Sequence, residues 1–253
     1  MALVLGNKTT SNANPGGSSQ TLSVNCSSGS DRGLLVSVTM SNTVNFSSAT
    51  YNGVSMTLVR NQNMGTLSQR QALFWLADPS TGANNLVVNF SGSQWNSTSI
   101  MAQSFTGADA TIGNDAGNGL VTSPHSQTLT VSANSVIYLT GVSVAGQSFG
   151  YIIDGSTRTN DFAHNTNRQV EGAFSATGLS AGSITCITKA DSGSVTNVRV
   201  EIKEVAAAVP DITVTPGALS GFTYAEGTGP SSAQSYTWSI TDATNDVVAT
   251  APT

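Results

Sequence analysis

Short apolar runs recur along the whole chain, broken by Gly, Ser, Asn and Pro, and almost none follows the 3.6-residue period of a helix. Strands are predicted at residues 2–5, 20–25, 34–40, 56–60, 72–77, 85–91, 99–105, 127–132, 136–144, 170–176, 184–189 and 195–205. Some of these are continuous, such as "LLVSV" from Leu34 and "VIYLTGV" from Val136, the pattern of strands covered on both faces. By contrast, "VRVEIKEV" alternates, with Val198, Val200 and Ile202 on one side and Arg199, Glu201 and Lys203 on the other. That alternation predicts a last strand with one face in water.

Turn chemistry separates the runs. Asn52-Gly53 suits the two left-handed positions of a type I′ turn. Asp78, Pro79 and Gly82 suit successive positions of a tight loop, so residues 72–77 and 85–91 are predicted to be neighbours. No self-similarity appears at the 20–50-residue periods of solenoids and propellers. About a dozen strands without a helix over residues 1–205 predict an all-β fold, a two-sheet jelly-roll-like sandwich. Residues 206–210 read as a linker, and 211–253 as a second, small β segment with strands at 211–215, 221–225, 235–241 and 246–251.

Composition narrows the function. Only 9 % of the 253 residues are charged, the net charge is −5 and the pI is about 4.7. Nine scattered basic residues give no patch to displace counterions from a polynucleotide and no basic amphipathic helix, so neither nucleic acid nor membrane is expected as a partner. The opening "MALVLGNKTTSNANPGG" lacks the charged and apolar regions of a secretory signal, and the expected site of synthesis is the cytoplasm. Of two cysteines, Cys26 and Cys186, the simpler reading is two buried free thiols; the other is a disulfide joining the first and last strands of the large domain.

Candidate chemistry is sparse. His125 and His164 are the only histidines, both in contexts that read as loops, and no nucleophile-elbow sequence supports a Ser-His-Asp triad. His164 with Asp154 and Asp161 could form a small metal site, and Asp109–Gly119 mixes oxygen ligands with glycines as calcium loops do. Neither has a known ligand spacing, and a polar loop and a Gly-rich turn are the simpler readings. No glutamate pair faces a cleft as glycoside hydrolysis requires. An enzyme is therefore not expected, nor any cofactor. Trp95, in "SGSQWNSTS", is a candidate sugar platform; the competing reading is a cap on the end of a sandwich core.

Two stretches resemble known families. Residues 49–91, "ATYNGVSMTLV…ALFWLADPSTGANNLVVNFSG", resemble a β-sandwich module of phage virion and bacterial surface proteins. Residues 212–241, "ITVTPGALSGFTYAEGTGPSSAQSYTWSI", resemble the start of an immunoglobulin-like domain that recurs in secreted proteins of Bacteroidetes. Such a domain needs about seven strands. The four predicted here leave an apolar face, on which Phe222, Tyr224, Tyr236, Trp238 and Ile240 are candidate assembly residues. Together these features lead us to expect a non-enzymatic structural protein of a phage particle, a capsid decoration, head-fibre or tail component located in the virion. Its expected partners are copies of itself and other virion structural proteins, with a host surface glycan as a further candidate. The alternative is a secreted bacterial adhesin or carbohydrate-binding module at the cell surface.

Overall fold

The computed structural model describes residues 2–13, 16–41, 44–63, 69–94, 98–144, 149–158, 162–165, 168–190 and 193–206, with strand pieces at 211–215, 224–225, 229–230 and 237–241. Its contacts divide the chain into two units, Met1–Val205 and Ala206–Thr253.

The first half of the large unit contains β1 (Val4–Ala13), β2 (Gly17–Cys26), β3 (Gly33–Ser41), β4 (Phe46–Tyr51), β5 (Val54–Ser55), β6 (Thr57–Asn63), β7 (Gln69–Ala77), β8 (Gly82–Gln94) and β9 (Thr98–Thr106). The second half contains β10 (Asp115–Thr122), β11 (His125–Val131), β12 (Val136–Val144), β13 (Phe149–Ile153), β14 (Ser156–Arg158), β15 (Phe162–Asn165), β16 (Arg168–Phe174), β17 (Gly182–Ala190) and β18 (Ser194–Ile202). Each half forms two antiparallel sheets in the same strand order. The five-stranded sheets run β1-β9-β3-β7-β6 and β10-β18-β12-β16-β15; the four-stranded sheets run β2-β8-β4-β5 and β11-β17-β13-β14. The all-β reading holds, and the sandwich is present twice.

The repeat is also legible in local detail. Asn52-Gly53 (φ 49° and 78°) closes β4 onto β5, and Asp154-Gly155 (φ 52° and 70°) closes β13 onto β14. Both pairs supply the two left-handed residues of a type I′ turn. "SQTLSV" from Ser19 returns as "SQTLTV" from Ser126, and Gln20↔Val88 in one sheet matches Gln127↔Cys186 in the other. The spacing is roughly a hundred residues, beyond the periods that mark solenoids and propellers.

The two sandwiches stack through their five-stranded sheets. One core lies inside the first sandwich, around Val36, Tyr51, Phe74, Leu86 and Ile100. A second lies inside the other, around Ile137, Leu139, Tyr151, Ile184 and Val195. The third lies between them, where Leu35, Leu73, Trp75, Met101 and Phe105 meet Tyr138, Phe174, Val198, Val200 and Ile202. Phe105 and Phe174 meet there edge to face with centroids 5.9 Å apart, an attractive geometry for aromatic rings. Gln71 Nε2 donates to Thr140 Oγ1 (3.0 Å) across the same junction. The layering accounts for the continuous apolar runs, since β3, β9, β12 and β18 each have a core on both faces.

Four expectations are corrected. Residues 72–77 and 85–91 are not neighbours: β7 pairs with β3 and β6, and β8 pairs with β2 and β4 in the other sheet. The Asp78–Gly82 loop carries the chain across the sandwich rather than back along one sheet. Arg199 (5 % exposed) and Glu201 (1 %) do not face water, because β18 belongs to an inner layer. His125 and His164 lie in strands, β11 and β15, rather than loops. Asp115–Gly119 opens β10 instead of extending a Gly-rich turn.

In the smaller unit β19 (Asp211–Thr215) pairs with β22 (Thr237–Thr241), and β20 (Tyr224–Ala225) with β21 (Gly229–Pro230).

Candidate functional site

Trp95, Phe222 and Tyr236 lie outside the described residues, as does Asp161. Tyr224 is in β20, opposite Pro230, and Trp238 and Ile240 are in β22, in register with Val214 and Ile212. In the Asp109–Gly119 stretch the carboxylates are already engaged. Asp109 accepts from Thr111 N (2.8 Å) and Thr111 Oγ1 (2.7 Å) and lies 3.7 Å from Lys203 Nζ, while Asp115 pairs with Arg60. The hydrogen bonds from Thr111 hold the Asp109 carboxyl below its ordinary range.

The cysteines are separated by the layering. Cys26 lies in the core of the first sandwich and Cys186 in that of the second, both free and buried. With both five-stranded sheets between those cores, a bridge from 26 to 186 is excluded. Burial raises both thiols, Cys186 to about 11. Because thiolate is the reactive form, Ellman's reagent at pH 8 is expected to leave native protein essentially unmodified and to label both thiols in guanidinium. Rapid labelling of native protein would contradict this placement.

The second sandwich contains a group of polar side chains that sequence periodicity assigned to solvent or left unremarked. On β18, Val195, Asn197, Arg199 and Glu201 alternate with the junction residues Val198, Val200 and Ile202, and so face the sandwich interior. Glu201 sits at one end of it. Its Oε1 accepts from Ser132 N (2.6 Å) and Ser135 Oγ (2.6 Å), and its Oε2 accepts from Asn114 N (3.0 Å). Burial alone would raise this carboxyl; the Ser135, Ser132 and Asn114 donors outweigh it and leave it below the ordinary value. Gly113 is required beside it, since a Cβ there would lie 2.2 Å from Glu201 Oε2.

Arg199 lies further along. One nitrogen, Nη1, donates to Asn197 Oδ1 (3.2 Å), while Nε is buried with no partner, and no carboxylate pairs with the group among the described residues. Burial depresses its affinity for the proton. Around it on the interior faces stand Cys186 and Thr188 of β17, Gln127 and His125 of β11, and Asn118 of β10. Thr188 is 1 % exposed and its Oγ1 is unpartnered, as is Gln127 Oε1. Asn118 Nδ2 and His125 Nε2, 3.0 Å apart, bridge the two sheets at the edge of this region. The only sequence signal for the region was the internal repeat, because alternation alone made Arg199 look exposed.

Comparison of the chain with protein families finds no match. Comparison with curated proteins finds none, and comparison with solved structures finds none.

Proposed function

We propose that the chain is a non-enzymatic structural protein of a bacteriophage particle, a capsid decoration, head-fibre or tail component that acts by assembling with copies of itself and with other virion structural proteins. The observation that carries this reading is the β19–β22 pair. A lone two-stranded ribbon is marginal in water, and three or more strands over an apolar face are needed for a stable sheet. Val214–Trp238 and Ile212–Ile240 stand opposite each other in that ribbon. Among the described residues the ribbon has no third strand, and strands supplied by a neighbouring molecule would complete the sheet. The resemblance of residues 212–241 to the start of an immunoglobulin-like domain supports the same use. So does the large unit, whose four layers form a closed block around three packed cores.

Removing residues 206–253 tests the proposal. Sedimentation velocity is expected to show the full chain self-associating and the 1–205 chain as a monomer with an unchanged melting temperature. Monomers in both cases would overturn it. Binding of the full chain to a glycan array, lost in Trp95→Ala, would instead favour a surface adhesin.

A further inference from the structure

The two sandwiches serve as controls for one another. Gly33 and Val136 each lie two residues after a residue with positive φ, Asp31 (52°) and Asn134 (61°), which aligns β3 with β12. Register then matches Phe105, opposite Gly33, with Ile202, opposite Val136, and places Ala102 with Arg199 and Ile100 with Asn197. Likewise Leu22↔Leu86 and Leu129↔Ile184 place Val88 with Cys186 and Phe90 with Thr188. The match extends to function within the fold. Ser104, the counterpart of Glu201, donates to Asn7 O (3.2 Å) and lies 3.4 Å from Ser27 N, while Glu201 accepts from Asn114 and Ser132.

At four adjoining interior positions the first sandwich therefore carries Ala, Ile, Val and Phe, and the second carries Arg, Asn, Cys and Thr. The framework does not need polar residues there, since the first sandwich closes its core without them. A buried guanidinium without an anion is costly. Thr188, Cys186 and Asn197 are smaller than their counterparts Phe90, Val88 and Ile100, and Arg199 alone of the four is larger, standing where the first sandwich has Ala102.

We propose that the second sandwich binds a small monocarboxylate at Arg199, between β18 and β17. With Nη1 committed to Asn197, the Nε–Nη2 edge of the guanidinium remains, a planar fork that matches the two oxygens of a carboxylate. Thr188 Oγ1 supplies a hydroxyl donor from the facing sheet, and the Gln127 amide presents nitrogen or oxygen by a half-turn about its last bond. One negative charge offsets one guanidinium. Cys186 stays a neutral thiol in this setting. Access is by the Asn118–His125 edge, where both residues are partly exposed. This inference does not rest on the virion reading.

The test is thermal unfolding of the full chain against sodium formate and sodium acetate, with sodium chloride and sodium phosphate as controls at matched ionic strength. Arg199→Met is compared in parallel, because carboxylate salts also stabilise proteins without binding. Wild type is expected to show a saturable rise of several degrees with formate or acetate that Arg199→Met lacks, and calorimetry is expected to give one site per chain. Thr188→Val, which keeps the shape of the site, is expected to weaken binding at least fivefold and covers the case in which Arg199→Met fails to fold. Equal responses in wild type and Arg199→Met, or unaltered binding in Thr188→Val, overturn the proposal. So does a response to phosphate with none to formate or acetate.

Discussion

Leu35→Asp is expected to abolish cooperative folding of the large unit. Leu35 is fully buried in β3, in the junction between the sandwiches with Leu73, Trp75, Tyr138 and Val200. A carboxylate there has no partner, and an unpaired buried charge costs several kcal/mol, against a total stability of about 5–15 kcal/mol for a domain. Ile137→Asp, in the core of the second sandwich, is expected to act as strongly. Val54→Asp, in the β4–β5 hairpin at 52 % exposure, is expected to shift stability by less than about 0.5 kcal/mol. Circular dichroism melts read all three. A Leu35→Asp chain that melts like wild type would mean that the five-stranded sheets do not face each other.

Removing the Glu201 carboxylate is the second large perturbation. Glu201→Ala leaves the buried Ser135 Oγ without its acceptor, at roughly 1–3 kcal/mol, and removes the bonds to Ser132 N and Asn114 N, on exposed residues that water can reach, at roughly 0.5–1.5 kcal/mol each. A total loss of about 2–4 kcal/mol in urea unfolding is expected. The pH dependence follows from the depressed carboxyl. In the unfolded chain the group titrates near its ordinary value of about 4.3, and in the fold it titrates lower. Its contribution is therefore complete above that ordinary value and is lost as pH falls through the folded one. Wild type is expected to lose stability more steeply than Glu201→Gln between about pH 5 and pH 3. Parallel slopes would show that the carboxylate is not held by those donors.

The sequence showed some of this plainly. The runs at Leu34–Val38 and Val136–Val142 read as covered on both faces, and they are, because each lies in an inner layer. The strands of the large unit left out of the reading, β4, β5, β10, β13, β14 and β15, are short or dominated by Ser, Gly and Asn, as in "FSSATY" and "DAGNGLVT". Their backbone pairing sets their structure, and apolar periodicity is too weak to reveal it. The duplication was hidden for a related reason. Equivalent positions share a burial role rather than a residue type, as with Leu35 and Tyr138, or Ala102 and Arg199. Turn chemistry at Asp78-Pro79 marked the break between β7 and β8, but such residues fix local dihedrals and not the sheet that the next strand joins. The polar interior was misread because alternating charge implies solvent only when one face of the sheet is free, and β18 has a core on each side.

Native-state hydrogen exchange reports most directly on two like-built sandwiches stacked through a common apolar junction. The amides of β3, β9, β12 and β18 are expected to exchange slowest, and to open together at one free energy equal to that of global unfolding. Opening of β12 and β18 at a much lower free energy, with β3 and β9 still protected, would show two sandwiches that unfold separately and would contradict the shared junction.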